Sequence, residues 1–193
     1  MEQIVDLDKA LFLYLNNLGT SQWDGFWLFV TEKEVWIPLY GLFAYLLFRK
    51  FGIKKTLLIF VLTALLILCV DQVSNIFKYG IQRLRPCFTD EFEGLMRPVA
   101  CEGRGKFSFV SAHASNHFAI AVFLGMLYRK YFKWMIWVLL IWASMIAYSR
   151  IYLGVHFPLD IVCGGVIGIL FALLLYWIFK KILQIFPGYF EEG

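Results

Sequence analysis

Apolar residues in this chain fall in long blocks, without the short alternation of a soluble fold. Four blocks are plain: residues 56–77, 111–128, 134–148 and 158–179. Most approach the roughly 20 residues that carry a helix across bilayer hydrocarbon. A fifth block, residues 35–48, is short for that task, but Arg49 and Lys50 at its end can snorkel to the interface. Residues 1–31 differ, because Asp6, Asp8, Lys9, Asn16, Asn17 and Asp24 break the apolar runs. Trp23 and Trp27 there suit a membrane–water boundary. The pattern predicts an all-α integral membrane helix bundle of about five transmembrane helices, preceded by amphipathic segments lying on the membrane. A sixth, re-entrant span within those segments is the alternative. The expected organisation is an interfacial segment at 1–34, a transmembrane domain at 35–186 with an outer loop at 79–110, and a tail at 187–193.

Composition sharpens this picture. Of the 193 residues 61% are hydrophobic and 17% charged, and mean hydropathy is +0.70. A soluble domain of this size cannot hide so much apolar surface. The start has neither a basic n-region nor a small-residue cleavage site, so no signal peptide is expected. Basic residues collect in three turns, at Arg49, Lys50, Lys54 and Lys55, at Arg129, Lys130 and Lys133, and at Lys180 and Lys181. With five spans all three lie on one side, which the positive-inside rule makes cytoplasmic. The net charge of +4 is thereby a topological feature, implying no nucleic acid and no protein partner. The expected location is a bacterial inner membrane, with the 79–110 loop facing the periplasm or exterior.

The residues that break the apolar logic gather at that outer side. The second span ends in KYGIQRLRP, with Lys78, Arg83, Arg85 and Pro86. The third begins in SFVSAHASNH, with Ser108, Ser111, His113, Asn116 and His117. The fourth runs into the fifth through SRIYLGVHFPLD, with Ser149, Arg150, His156 and Asp160. Lys78, Arg85 and Arg150 would repel one another unless an anion sat between them, and an arginine fork suits a tetrahedral oxyanion. Ser111 to His113 lies where a helix begins, so free backbone N–H groups also point at an anion. Asp160 falls one helical turn after His156, where its carboxylate can accept an imidazole N–H and leave the other nitrogen free to attack. His113 arrives from a different helix and can protonate a leaving oxygen. Together these groups describe phosphoryl transfer through phosphohistidine.

The three segments resemble the signatures of the type 2 phosphatidic acid phosphatase family, part of the superfamily of lipid phosphate phosphatases, bacterial acid phosphatases and vanadium haloperoxidases. The first signature is complete at Lys78, Arg85 and Pro86, and the third at Ser149, Arg150, His156 and Asp160. The second keeps Ser111 and His113, with Val110 and Ala112 in place of proline and glycine. The resemblance covers roughly residues 56–180. It implies His156 as nucleophile, Asp160 as its partner and His113 as acid. It also implies Lys78, Arg85, Ser111, Ala112 and Arg150 as phosphate ligands, with neither metal nor cofactor.

Other polar positions have plainer expectations. His117, one turn after His113, lines the pocket or bonds within the bundle, and Arg83 is a headgroup anchor. Asp71 lies too deep to reach a phosphate near Lys78 and serves as interhelical glue. Gly164 and Gly168 form a small-xxx-small pair for close helix packing. Cys87 and Cys101 share the outer loop, where an oxidising exterior favours a disulfide between them. Relatives act on undecaprenyl diphosphate, phosphatidylglycerol phosphate, phosphatidic acid or lipid A phosphates. The first of these is favoured, because a long polyprenyl tail needs little headgroup recognition. A lipid phosphotransferase, or a membrane protein that binds phosphate without cleaving it, are the rival functions.

Overall fold

The computed structural model describes residues 2–102 and 105–190. The chain is helical: α1 (Glu2–Asn17), α2 (Ser21–Thr31), a 3-10 turn (Lys33–Trp36), α3 (Ile37–Ile81), α4 (Ala112–Tyr128), α5 (Met135–Tyr152), α6 (Pro158–Ile185) and a short α7 (Pro187–Phe190). Among the described residues the extended pairing is one antiparallel bridge, Leu84 with Phe107.

Where the sequence shows two apolar blocks, 35–48 and 56–77, the chain makes one helical run. It is broken at Gly52, whose φ of 71° is open to glycine and rare for other residues. The two arms fold back on each other, since Tyr40, Phe43 and Leu47 line one cavity with Phe60, Thr63 and Ile67. By length and composition three stretches can cross a bilayer: Lys33–Ile81, Met135–Tyr152 and Pro158–Ile185. With the break in α3 and with α4, the bundle has five legs.

α4 is the centre of the bundle, buried along much of its length from Ala114 to Tyr128. It packs most extensively on α6, and glycines permit that approach. A Cβ on Gly164 would lie 2.7 Å from the Ser111 carbonyl oxygen, and one on Gly168 would lie 2.1 Å from that of Ser115. The small-residue pair thus brings α6 against the first two turns of α4. Asp71 on α3 accepts the Asn116 amide of α4 at 2.7 Å, the interhelical link expected of it.

The N-terminal helices depart from a simple surface placement. α1 is amphipathic, with Ile4, Leu7, Leu11 and Tyr14 exposed along one side and Leu18 continuing the row just past its end. Another row of α1 does not face water: Asp8, Phe12 and Asn16 are buried against the junction of α5 and α6, while Glu2, Gln3, Asp6 and Asn17 stay exposed. Asn16 alone ties three segments: its amide donates to the Ile151 and Tyr152 carbonyls at 3.2 and 2.9 Å, and its oxygen accepts Arg97 N–H at 2.7 Å. α2 packs along α5, with Trp27 edge-on to Tyr148 and Asp24 accepting the Tyr152 hydroxyl at 2.7 Å.

Candidate active site

Each signature sits where local structure ends or begins. Gln82, in a left-handed conformation, stops α3 by donating its N–H to the Lys78 carbonyl. The chain then leaves extended, with Arg85 N–H on the Lys106 carbonyl at 2.9 Å and Ser108 N–H on that of Arg83 at 2.8 Å. Successive side chains of an extended segment point opposite ways. Leu84 is accordingly exposed, while Arg83 and Arg85 both turn into the protein. Ser111 caps α4, its side chain accepting the Ala114 N–H at 3.4 Å, and its own N–H donates to the Asp160 carbonyl at 3.1 Å. Ala112 follows as the first residue of α4 without a positive φ, so alanine fits there unstrained. After α5, Gly154 turns with a φ of 79°, and Pro158 opens α6 with Asp160 in its first turn.

These elements bring the expected residues together. Arg85, Ser111, Arg150, His156 and Asp160 are buried at one end of the bundle, and Lys78 and His113 are half-buried beside them. Asp160 Oδ2 lies 3.4 Å from His156 Nδ1 and accepts the Phe157 N–H at 2.9 Å. Arg85 Nη1 stands 3.4 Å from His156 Nε2, while its Nε donates to the Gly105 carbonyl. A guanidinium has no lone pair to offer, so Nε2 is the acceptor in that contact. The tautomer follows: Nδ1 carries the proton toward Asp160, and Nε2 presents a bare lone pair. Arg150 donates to the Thr31 hydroxyl, which α2 brings to the site. Burial pushes the His156 imidazole well below its usual pKa, and the charges of Arg85, Arg150 and Lys78 push it further. A neutral, nucleophilic imidazole faced by three cations is equipped to attack a phosphoryl group that those cations hold.

His113 stacks on His117 with ring centroids 6.3 Å apart. His117 itself bonds within the bundle, its Nδ1 lying 2.7 Å from the His113 carbonyl and its ring edge-on to Trp142. Among the described residues, no three His, Cys, Asp or Glu side chains gather as metal ligands. Cys87 and Cys101 both lie against the turn between α5 and α6. Cys87 packs near Tyr152 and Leu153, and the Cys101 thiol is 4.0 Å from the Gly154 carbonyl.

Arg83 is not the headgroup anchor expected of it. Its guanidinium bridges Asp160 Oδ1 at 3.0 Å and Asp8 Oδ2 at 2.6 Å, lying over the Phe157 ring at 3.9 Å. Asp8 and Thr31 are the further site residues that sequence alone did not single out. A signal existed for Asp8, which recurs with Phe12 and Asn16 at four-residue steps, opposite the apolar stripe of α1.

The chain is similar to known proteins over most of its length. The PAP2 superfamily profile matches residues 54–184. A lipid A 4′-phosphatase of Bacteroides thetaiotaomicron is 36% identical, covering 94% of this chain and 81% of that protein. An undecaprenyl-diphosphatase of Sulfolobus acidocaldarius is 30% identical, covering 86% of this chain and 76% of that one. The crystal structure of a transmembrane PAP2 type phosphatidylglycerolphosphate phosphatase from Bacillus subtilis has the same fold, with a TM-score of 0.73 at 20% identity. It covers 94% of this chain and 89% of that one.

Proposed function

The chain belongs to the PAP2 superfamily and is a membrane lipid phosphatase of that type, and on that premise we propose that it removes a phosphate monoester from the sugar headgroup of an acylated glycolipid, as in lipid A. The near full-length similarity to a lipid A 4′-phosphatase carries this choice. It puts undecaprenyl diphosphate, favoured on sequence alone, second; the Sulfolobus relative supports that reading.

In the proposed reaction Lys78, Arg85, Arg150, the Ser111 hydroxyl and the backbone N–H at Ala112 hold the phosphate. His156 Nε2 attacks phosphorus, while Asp160 steadies the proton on Nδ1. The sugar oxygen departs with a proton from His113, leaving phosphohistidine. Water, giving its proton back to His113, then attacks that phosphorus and releases inorganic phosphate. Each of the five legs crosses the membrane once, with the 79–110 loop outside. Three cations supply the positive charge that a metal ion would otherwise bring.

Inorganic phosphate release from lipid A, undecaprenyl diphosphate, phosphatidylglycerol phosphate and phosphatidic acid, in excess chelator, tests the proposal. Lipid A should give the highest kcat/KM, with mass spectrometry locating the loss. A kcat/KM about tenfold or more higher for undecaprenyl diphosphate would overturn the substrate choice. Phosphate passed to a second lipid without release would overturn hydrolysis, and restoration by a divalent ion would overturn metal independence.

A further inference from the structure

Asp8 stands on α1, 151 positions before the residue whose amide it binds. Its Oδ1 accepts the Leu159 N–H at 2.7 Å, one of the first-turn donors of α6 that no helical carbonyl can reach. Its Oδ2 accepts Arg83 Nη2 at 2.6 Å. Arg83 Nη1 continues to Asp160 Oδ1 at 3.0 Å, and Asp160 Oδ2 turns to His156 Nδ1. Asp8 is 7% exposed, His156 2% and Asp160 0%, so these contacts meet little competition from water.

An arginine facing a single carboxylate tends to close on it with both arms. Arg83 doing so with Asp160 would draw both carboxylate oxygens toward the guanidinium and away from the imidazole. Asp8 occupies one arm of the fork. Asp160 therefore takes a single hydrogen bond from Arg83, leaving Oδ2 for the Phe157 N–H and His156. By binding the Leu159 amide, the same aspartate also pins the turn that carries Asp160.

We propose that Asp8 is a positioning residue for phosphoryl transfer: acting through Arg83, it sets the orientation of Asp160 and so the tautomer and aim of His156. The proposal rests on the phosphohistidine chemistry above and extends the catalytic apparatus to the N-terminal helix.

The test uses the full chain carrying Asp8→Ala or Asp8→Asn, the second keeping side-chain size if the first fails to fold. Both should lower kcat for lipid phosphate by about tenfold or more, the scale for outer partners that orient an imidazole. KM should stay within about twofold, since the phosphate ligands are untouched. The 15N signals of His156 should move toward a tautomer mixture. In an Asp160→Asn background, Asp8→Ala should change the residual kcat by no more than about twofold, because the two residues act in series. A folded Asp8→Asn chain with wild-type kcat and an unchanged His156 spectrum would overturn the proposal. So would a loss that adds in full to that of Asp160→Asn. Failure of the substrate reading shows elsewhere, as a wild-type chain that releases no phosphate from lipid A. The His156 spectra decide the role of Asp8 in that case too.

Discussion

Gly168→Ala places a methyl group where α6 meets α4, far from the phosphate but in line with it. Asp160, Gly164 and Gly168 recur every four residues on one stripe of α6, so Gly168 lies about 12 Å of helix rise below Asp160. The new Cβ would stand 2.1 Å from the Ser115 carbonyl oxygen, 2.9 Å from its carbon and 3.1 Å from Ala119 N. Carbon–oxygen contact begins near roughly 3.3 Å, so the helices must part by about 1 Å. These neighbours are backbone atoms, and no side chain can swing aside. Overpacking of this kind costs about 1–3 kcal/mol. The larger effect falls on catalysis, since α4 carries Ser111, Ala112 and His113 while α6 carries Asp160. Their register rests on the Ser111 N–H to Asp160 carbonyl bond of 3.1 Å. A misplacement of about 1 Å can reduce turnover by about 10²-fold. Gly165→Ala is the control, because the atoms nearest its Cβ belong to the Phe118 side chain, at 3.2 Å, which can shift by a few tenths of an ångström where backbone cannot. Thermal melts and kcat on a lipid phosphate in micelles should show Gly168→Ala folded but crippled and Gly165→Ala near wild type. A folded Gly168→Ala chain with kcat within about threefold of wild type would refute the idea that this helix contact sets the site.

Further outcomes follow from the same geometry. His113→Gln should reduce kcat/KM most on a lipid monophosphate, within about 10²–10⁴-fold, and least on p-nitrophenyl phosphate, whose leaving group needs no proton; equal losses would make His113 a phosphate ligand. A lowered pKa keeps the His156 imidazole neutral as pH falls through 6.5, so its NMR titration should lie below that value and shift upward in Arg85→Gln. Titration at or above 6.5 in the wild type would contradict the electrostatic picture. Intact-mass analysis before and after reduction should detect a Cys87–Cys101 disulfide, and two alkylatable thiols under oxidising conditions would exclude it. In intact cells an impermeant thiol reagent should label single cysteines placed in the 79–110 loop and spare one at Gly52; the reverse pattern would invert the topology.

Much of this architecture was legible because membrane solvation writes itself into long apolar blocks. The signatures at Lys78–Pro86, Ser111–His113 and Ser149–Asp160 stand out against that background, since buried charge there needs a reason. What stayed hidden depends on distant partners. Arg83 carries no local mark separating an anchor from a bridge, as its meaning depends on Asp8 and Asp160, 75 and 77 positions away. Asp8 looked like one more polar residue in an interfacial helix until the structure showed which way it faces. The break in α3, by contrast, was legible: Gly52 and its basic neighbours read as a turn between spans, and the two arms fold back on each other there.

The exposed stripe of α1 gives the enzyme a mechanical connection to its surroundings. Ile4, Leu7, Leu11 and Tyr14, with Leu18 just past the helix end, are 60, 70, 46, 64 and 56% exposed, an apolar row of the kind that suits acyl chains and headgroups. Another face of that helix reaches His156 through Arg83 and Asp160. Forces on that exposed row thus bear on a helix that contacts Asp160 through Arg83. Turnover measured in detergent and in a bilayer should differ in kcat as well as in substrate access, which makes the reconstituted bilayer the proper reference state for kinetic work.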